Sequence, residues 1–225
     1  SSAINGMVFV RGQSQDFDTW AQLGNRGWSY RDVLPFFRQM ETYAGGEDEF
    51  RGREGPLQVT DLSEAGPLYD ALIAAANEVG IPYNVDYNGA VQDGISMTQV
   101  SIRKGRRMST ARCYLDPVKS RPNLTIVTGA HTDGLIIEDK QCRGVRFTKD
   151  GSQKEARVAR EVIVSAGAVN SPQILELSGI GQPELLKRHG VEVCHALLGV
   201  GENLRDHFAP RMKYEITASG QTYND

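Results

Sequence analysis

The sequence predicts an α/β fold, α+β when the whole chain is counted, on three observations. Two segments in the first eighty residues repeat apolar side chains at helical spacing. Short β-type runs with turn punctuation follow between Leu124 and Ser165. An apolar run from Val162 to Val169 passes through Ala166-Gly167 toward Ser171-Pro172, which reads as buried strand, small-residue turn and helix start. That last arrangement lets a ligand approach backbone amides.

Each element has a local reason. The first helix opens at Trp28-Ser29-Tyr30-Arg31-Asp32. Ser29 can accept from an orphan amide three residues on, and Asp32 favours the positive helix end. Val33, Leu34, Phe37 and Met40 should face a core, and Gly45-Gly46 closes the segment. Residues 44–56 are rich in Gly and charge and read as a surface loop. Gly66-Pro67 opens a second helix, whose Leu68, Leu72, Ala75, Ala76 and Val79 form one stripe expected in a core. Gly80 stops it. Alternation from Ile95 to Ile102 predicts an exposed or half-exposed strand. Ser109-Thr110 should cap a short helix that Pro117 helps end. The β-type runs are Leu124–Thr128, Leu135–Ile137, Val145–Thr148, Ala156–Val158 and Glu161–Ser165, with Asp150-Gly151 as a hairpin turn.

Composition removes several function classes. A net charge of −3 with scattered charges offers nucleic acid no basic field. The densest cluster, Arg103-Lys104-Gly105-Arg106-Arg107, reads as a solvated turn rather than an anion contact. No run of 18 apolar residues exists, so no membrane span is expected. Cys113, Cys142 and Cys194 lie far apart without a CxxC spacing, which argues against disulfides and a thiolate metal site. Reduced thiols suit a cytoplasmic location, free or peripherally membrane-associated. His131, His189, His195 and His207 have no metal-ligand spacing. GxSxG, Walker and GxGxxG motifs are absent. No metal ligand is assigned, and these features alone do not reach a reaction.

Two long segments do. One is Ser1-Ser2-Ala3-Ile4-Asn5-Gly6-Met7-Val8-Phe9-Val10-Arg11-Gly12, followed by Asp16-Phe17-Asp18 and Trp20. The other is Gly167-Ala168-Val169-Asn170-Ser171-Pro172-Gln173-Ile174-Leu175-Glu176-Leu177-Ser178-Gly179-Ile180-Gly181. Gly27-Trp28-Ser29-Tyr30, Arg121-Pro122-Asn123-Leu124 and Gly199-Val200-Gly201-Glu202-Asn203-Leu204-Arg205-Asp206-His207 extend the match in order. Together they resemble the signatures of the glucose–methanol–choline (GMC) family of FAD-dependent oxidoreductases, nearest its choline dehydrogenase and bacterial alcohol dehydrogenase branch. The resemblance implies an FAD-binding Rossmann-like domain with an inserted β-meander, over 1–60 and 119–207. It also implies an antiparallel-sheet substrate domain over 61–118 and 208–225, including an alternating stretch at 212–216.

What the resemblance implies for function follows. Hydride passes from an alcohol, choline-like or primary, to FAD. Electrons then leave to oxygen, a quinone or another acceptor, between which the sequence does not choose. A hydroxynitrile lyase of the same family is the alternative, and a catalytically inactive piece a further one. The family's GxGxxG loop lies before its first signature and its catalytic histidine near its C-terminus. The chain is therefore expected to be an internal fragment, both domains incomplete, with no catalytic residue of its own and weak FAD binding alone. The cofactor-binding residues implied are Ser1, Asn5, Gly6, Met7 and Val8 beside the flavin, and Thr132 at the adenine. Ile4 matches the position of the histidine that attaches FAD in some relatives, so FAD is expected to be non-covalent. Asp206-His207 is expected to be structural.

Overall fold

The computed structural model describes residues 2–62 and 66–215. The chain divides into two units, residues 1–124 with 214–225, and residues 125–213. In the first, α1 (Ser14–Gln22) and α2 (Tyr30–Met40) pack through aromatic rings. Phe17 is buried and meets Trp20 and Phe37 edge-on at 5.4 and 5.5 Å. The predicted cap is present at α2, where the Asp32 amide donates to Ser29 Oγ and the Ser29 amide to Asp32 Oδ2. The α2 stripe is half-buried rather than sealed.

Four short strands follow, then a hairpin. β1 (Glu41–Thr42) runs parallel to β2 (Leu57–Gln58), and β3 (Thr60–Asp61) antiparallel to the later β4 (Gln99–Val100). Tyr43, Leu57, Val59 and Cys113 form the core, with Phe9, Met40 and Met108 against them. The segment read as a surface loop is half interior. Gly52 and Gly55 lie so close to the backbone of Arg38–Glu41 that a Cβ on either would collide, and this approach carries Arg51 inward.

The helix after Gly66-Pro67 is α3 (Pro67–Glu78), stopped where Gly80 turns left-handed at φ 82°. Its inward face is not the expected stripe. Tyr69 and Ile73 are half-buried and Ala76 buried, whereas Leu72, Ala75 and Val79 are exposed. The 95–102 segment is also corrected. Regular pairing is confined to β4 and to β5 (Ile102–Arg103), and β4 is buried because β3 flanks it on one side and Val8 on the other. β5 turns through Lys104-Gly105 into β6 (Arg106–Arg107). Beyond it Ser109 Oγ accepts from the Arg112 amide, opening a single π-helical turn at Ala111–Leu115.

The second unit is built on the predicted meander. β7 (His131–Glu138), β8 (Gln141–Lys149) and β9 (Ser152–Arg157) pair antiparallel in order. Both connections are two-residue turns with left-handed backbones, Asp139-Lys140 and the expected Asp150-Gly151. Leu135 and Ile136 are buried where α4 (Gly167–Leu177) packs on β7. Ser178 Oγ ties the two, accepting from the Leu135 amide and donating to the Ile174 carbonyl. The last elements among the described residues are β10 (Ile180–Gly181), α5 (Pro183–Arg188) and β11 (His195–Ala196), β10 and β11 pairing in parallel.

Four expectations fail here. Residues 124–128 and 161–165 are not strands, and Ile163 is 78% exposed; no described strand pairs with either segment. The helix opens at Gly167 rather than at Ser171-Pro172, because Gly167 makes the turn at φ 91° and Ser171 Oγ reaches back to accept from the Ala166 amide. Residues 212–215 carry no strand, and Ile216 lies outside the described residues.

Candidate functional site

The strand-like segment from Met7 to Arg11 is fixed on its inner side by bonds to β4 and to residues 86–88. The Phe9 amide donates to the Gln99 carbonyl at 2.8 Å, and the Ser101 amide donates to the Met7 carbonyl at 2.9 Å. Tyr87 Oη and Asn88 Nδ2 both donate to the Phe9 carbonyl at 3.0 Å. The Arg11 amide donates to Asn88 Oδ1 at 2.7 Å.

Beneath this segment lies a buried polar network. Glu41 is 0% and Arg51 1% exposed. Glu41 Oε1 lies 2.7 Å from both Arg51 Nε and Arg11 Nη2, and accepts from the Gly52 amide at 3.0 Å. Arg51 Nη1 also donates to Gln99 Oε1 at 2.9 Å and pairs with Asp86, while its guanidinium sits 3.8 Å above the Tyr43 ring. Burial pushes the Arg11 guanidinium below its ordinary value against the opposing pull of Glu41. Burial, then the hydroxyl's bond to Asp61, pushes Tyr43 well above the usual phenol range. Burial raises Tyr87 as well. These groups are tied to one another and hold no reactive group ready; they make a rigid base for the segment above.

Residues 2–8 lie at the outer edge of that base. Met7 takes a left-handed backbone at φ 65°, which bends the chain between the Asn5-Gly6 turn and the pairing of Val8 with Val100. Ile4 is 84% and Val8 59% exposed. Nothing stands within 4 Å of where a Cβ on Gly6 would be. On the other side the loop is anchored. Arg107 Nη1 donates to the carbonyls of Ser2 (3.0 Å) and Asn5 (2.8 Å). The Thr110 amide donates to Ser2 Oγ at 3.0 Å. Such a loop, with an open apolar edge and room at glycine, suits a flat partly apolar ligand such as an aromatic ring.

The structure thus brings Asn5, Gly6, Met7 and Val8 together as one exposed loop of the first unit. Ser1 lies outside the described residues. Thr132 belongs to the second unit, on β7 opposite Phe147, next to a register shift before Gly134. Among the described residues no cluster of His, Cys, Asp and Glu could hold a metal. The four histidines are exposed. Asp206 Oδ1 accepts from the backbone amide of His207 at 2.8 Å. Cys113, Cys142 and Cys194 are free thiols. No helix among the described residues is long and apolar enough to cross a membrane. Two clefts of the first unit, about 610 and 430 Å³, are lined by residues such as Arg38 and Arg53 or Gln13 and Gln92, and neither includes residues 2–8.

Two features escaped sequence reasoning. The Glu41–Arg51 network was hidden in a charge-rich stretch, and its signal was the pair Gly52 and Gly55. Arg107 was counted with its neighbours as solvated, yet it is half-buried against the loop.

Comparison with known proteins adds a frame. The profile of the GMC oxidoreductase family matches residues 1–209. An oxygen-dependent choline dehydrogenase from Brucella anthropi is 43% identical over 217 residues, covering 96% of this chain and 39% of that protein. One from Chromohalobacter salexigens is 47% identical over 219 residues, again covering 96% and 39%. An FAD-dependent oxidoreductase from Chaetomium thermophilum superposes with a TM-score of 0.86 at 32% identity, covering 91% of this chain and 38% of that one. The chain spans about two fifths of the length of these relatives.

Proposed function

Because the chain belongs to the GMC oxidoreductase family, we propose that it forms part of an enzyme that binds FAD non-covalently and oxidises a choline-like or other primary alcohol. The observation that carries this reading is the likeness to choline dehydrogenases, at 43% and 47% identity over 96% of the chain. FAD, when bound, supplies the hydride acceptor for the substrate's carbinol carbon.

This chain's share is to bind and orient. In this reading the flavin ring lies along Asn5, Gly6, Met7 and Val8, where the loop is open and apolar. Ile4 offers no nucleophile for a covalent bond to the ring. The Thr132 backbone meets the adenine, and Ser1 stands beside the flavin. The FAD domain takes residues 1–60 and 119–207, and the substrate domain 61–118 and 208–225. The hydroxyl proton goes to a base that is none of the four exposed histidines described above. The relatives' name points to molecular oxygen as acceptor. The lyase alternative has no support among these relatives.

The test is anaerobic titration of the purified full-length gene product with choline and with primary alcohols. The visible absorption band of the oxidised flavin is expected to bleach with at least one of them. A flavin that stays oxidised with all of them ends the proposal.

A further inference from the structure

We infer that Arg107 is a positioning residue for the cofactor, holding the flavin-side loop in shape from the β5–β6 hairpin; this rests on the FAD reading above. The hairpin exists to present it. Lys104 and Gly105, at φ 48° and 67°, make a two-residue turn that pairs Ile102 with Arg107 and Arg103 with Arg106. Arg103, Lys104 and Arg106 are exposed, whereas Arg107 is half-buried and spends its Nη1 on two carbonyls three residues apart in the loop, those of Ser2 and Asn5. One planar donor bridging two carbonyls fixes the loop's curvature.

The neighbours of Arg107 work on the same loop. Ser101, just before the hairpin, gives the Met7 carbonyl both its amide, at 2.9 Å, and its hydroxyl, at 3.3 Å. Thr110, just after it, gives its amide to Ser2 Oγ. The carbonyls of Ser2, Asn5 and Met7 are therefore all drawn onto residues 101–110, while Ile4, Gly6 and Val8 stay open on the loop. Without the guanidinium the Ser2 and Asn5 carbonyls lose a charged donor, so the turn around Ile4 loses a bond at each end, while the Thr110 amide still holds Ser2 Oγ. A ring laid on residues 5–8 would then meet a loop that must be ordered on binding, which weakens binding and changes the ring's surroundings.

The test compares wild type, Arg107→Ala, Arg107→Lys and the hairpin control Arg103→Ala in the full-length gene product. Hydrogen exchange is read at residues 2–8 and 99–100, together with FAD affinity and the flavin absorbance spectrum. R107A should speed exchange at 2–8 and weaken FAD binding by about tenfold, as expected for loss of a charged hydrogen bond. It should shift the flavin bands while residues 99–100 keep their protection. R107K should recover part of the affinity and spectrum, and R103A should match wild type. R107A with wild-type exchange at 2–8 and wild-type FAD affinity overturns the positioning role and leaves the FAD reading standing. Fast exchange at 99–100 in both R107A and R107K would show a merely structural residue, which also overturns it. A wild-type protein that binds no FAD overturns the reading itself.

Discussion

Glu41 concentrates the electrostatics of the first unit in one carboxylate. It is fully buried and meets Arg11, Arg51 and the Gly52 amide. A buried pair is costly to create and more costly to break, since removing one partner leaves an uncompensated charge. Glu41→Ala takes from Arg11 its carboxylate and from Arg51 one of two, Asp86 remaining, and we expect a loss of about 3–5 kcal/mol in denaturant unfolding. Asp116→Ala breaks the exposed pair with Lys119, at 56% and 64% exposure, and should change stability by no more than about 1 kcal/mol. Equal effects would mean that Glu41 is screened by water that its burial excludes. Tyr43 adds a pH dependence. Its folded-state value is raised above the ordinary 10.0. A raised value contributes stability that is complete below pH 10 and declines as pH climbs from there through the folded value, because the unfolded state ionises first. Tyr43→Phe should lessen that alkaline decline in melting temperature, the rest coming from Tyr87, Tyr114 and Cys113, also raised by burial. An unchanged slope above pH 10 would contradict this.

The meander offers a test of turn chemistry at the scale of elements. Lys140 sits at φ 61° and Asp139 at φ 50° between β7 and β8, while the β8–β9 turn uses Asp150-Gly151. A side chain in the left-handed region costs roughly 1 kcal/mol or more. Lys140→Gly should therefore raise the melting temperature, with a net gain of about 0.5 kcal/mol after the added freedom of the unfolded chain. Gly144→Ala should do the reverse, since its Cβ would strike the Ala156 carbonyl on β9. These turns also show what was legible. Asp150-Gly151 and the Ser29–Asp32 cap declared themselves because their residue types answer to local backbone demands. Asp139-Lys140 did not, because it is held by the strand pairing on either side rather than by its own preference. The same division runs through α3: spacing located the helix, but its inward face is set by Leu62, Ile95 and Met97, which line a cleft with Tyr69, Leu72 and Ile73. The loop 5–8 was found through a resemblance of residues in sequence. Its anchor Arg107 was not, because a bond spanning 102 positions leaves no local signal.

Each unit exposes large apolar side chains that a water-facing surface does not require. Ile4, Val79 and Val85 are at least 74% exposed in the first unit; Ile163 is 78% and Phe208 95% exposed in the second. The 161–165 segment compounds this, since its apolar residues and its backbone have no strand partner among the described residues. Unpaired extended backbone flanked by apolar side chains is a template for association. Residues 1–225 expressed alone are therefore expected to self-associate and to bind a hydrophobic dye. They should also hold little or no FAD, because the loop at 2–8 lies open and the chain spans only 39% of the length of such a relative. The measurement is light scattering and dye fluorescence on the purified 225-residue chain, with flavin absorbance read on the same sample. The full-length gene product serves as the reference, expected to be yellow and to bind little dye. A monodisperse 225-residue chain carrying stoichiometric FAD would refute this, and would place the whole binding determinant within the two units described here.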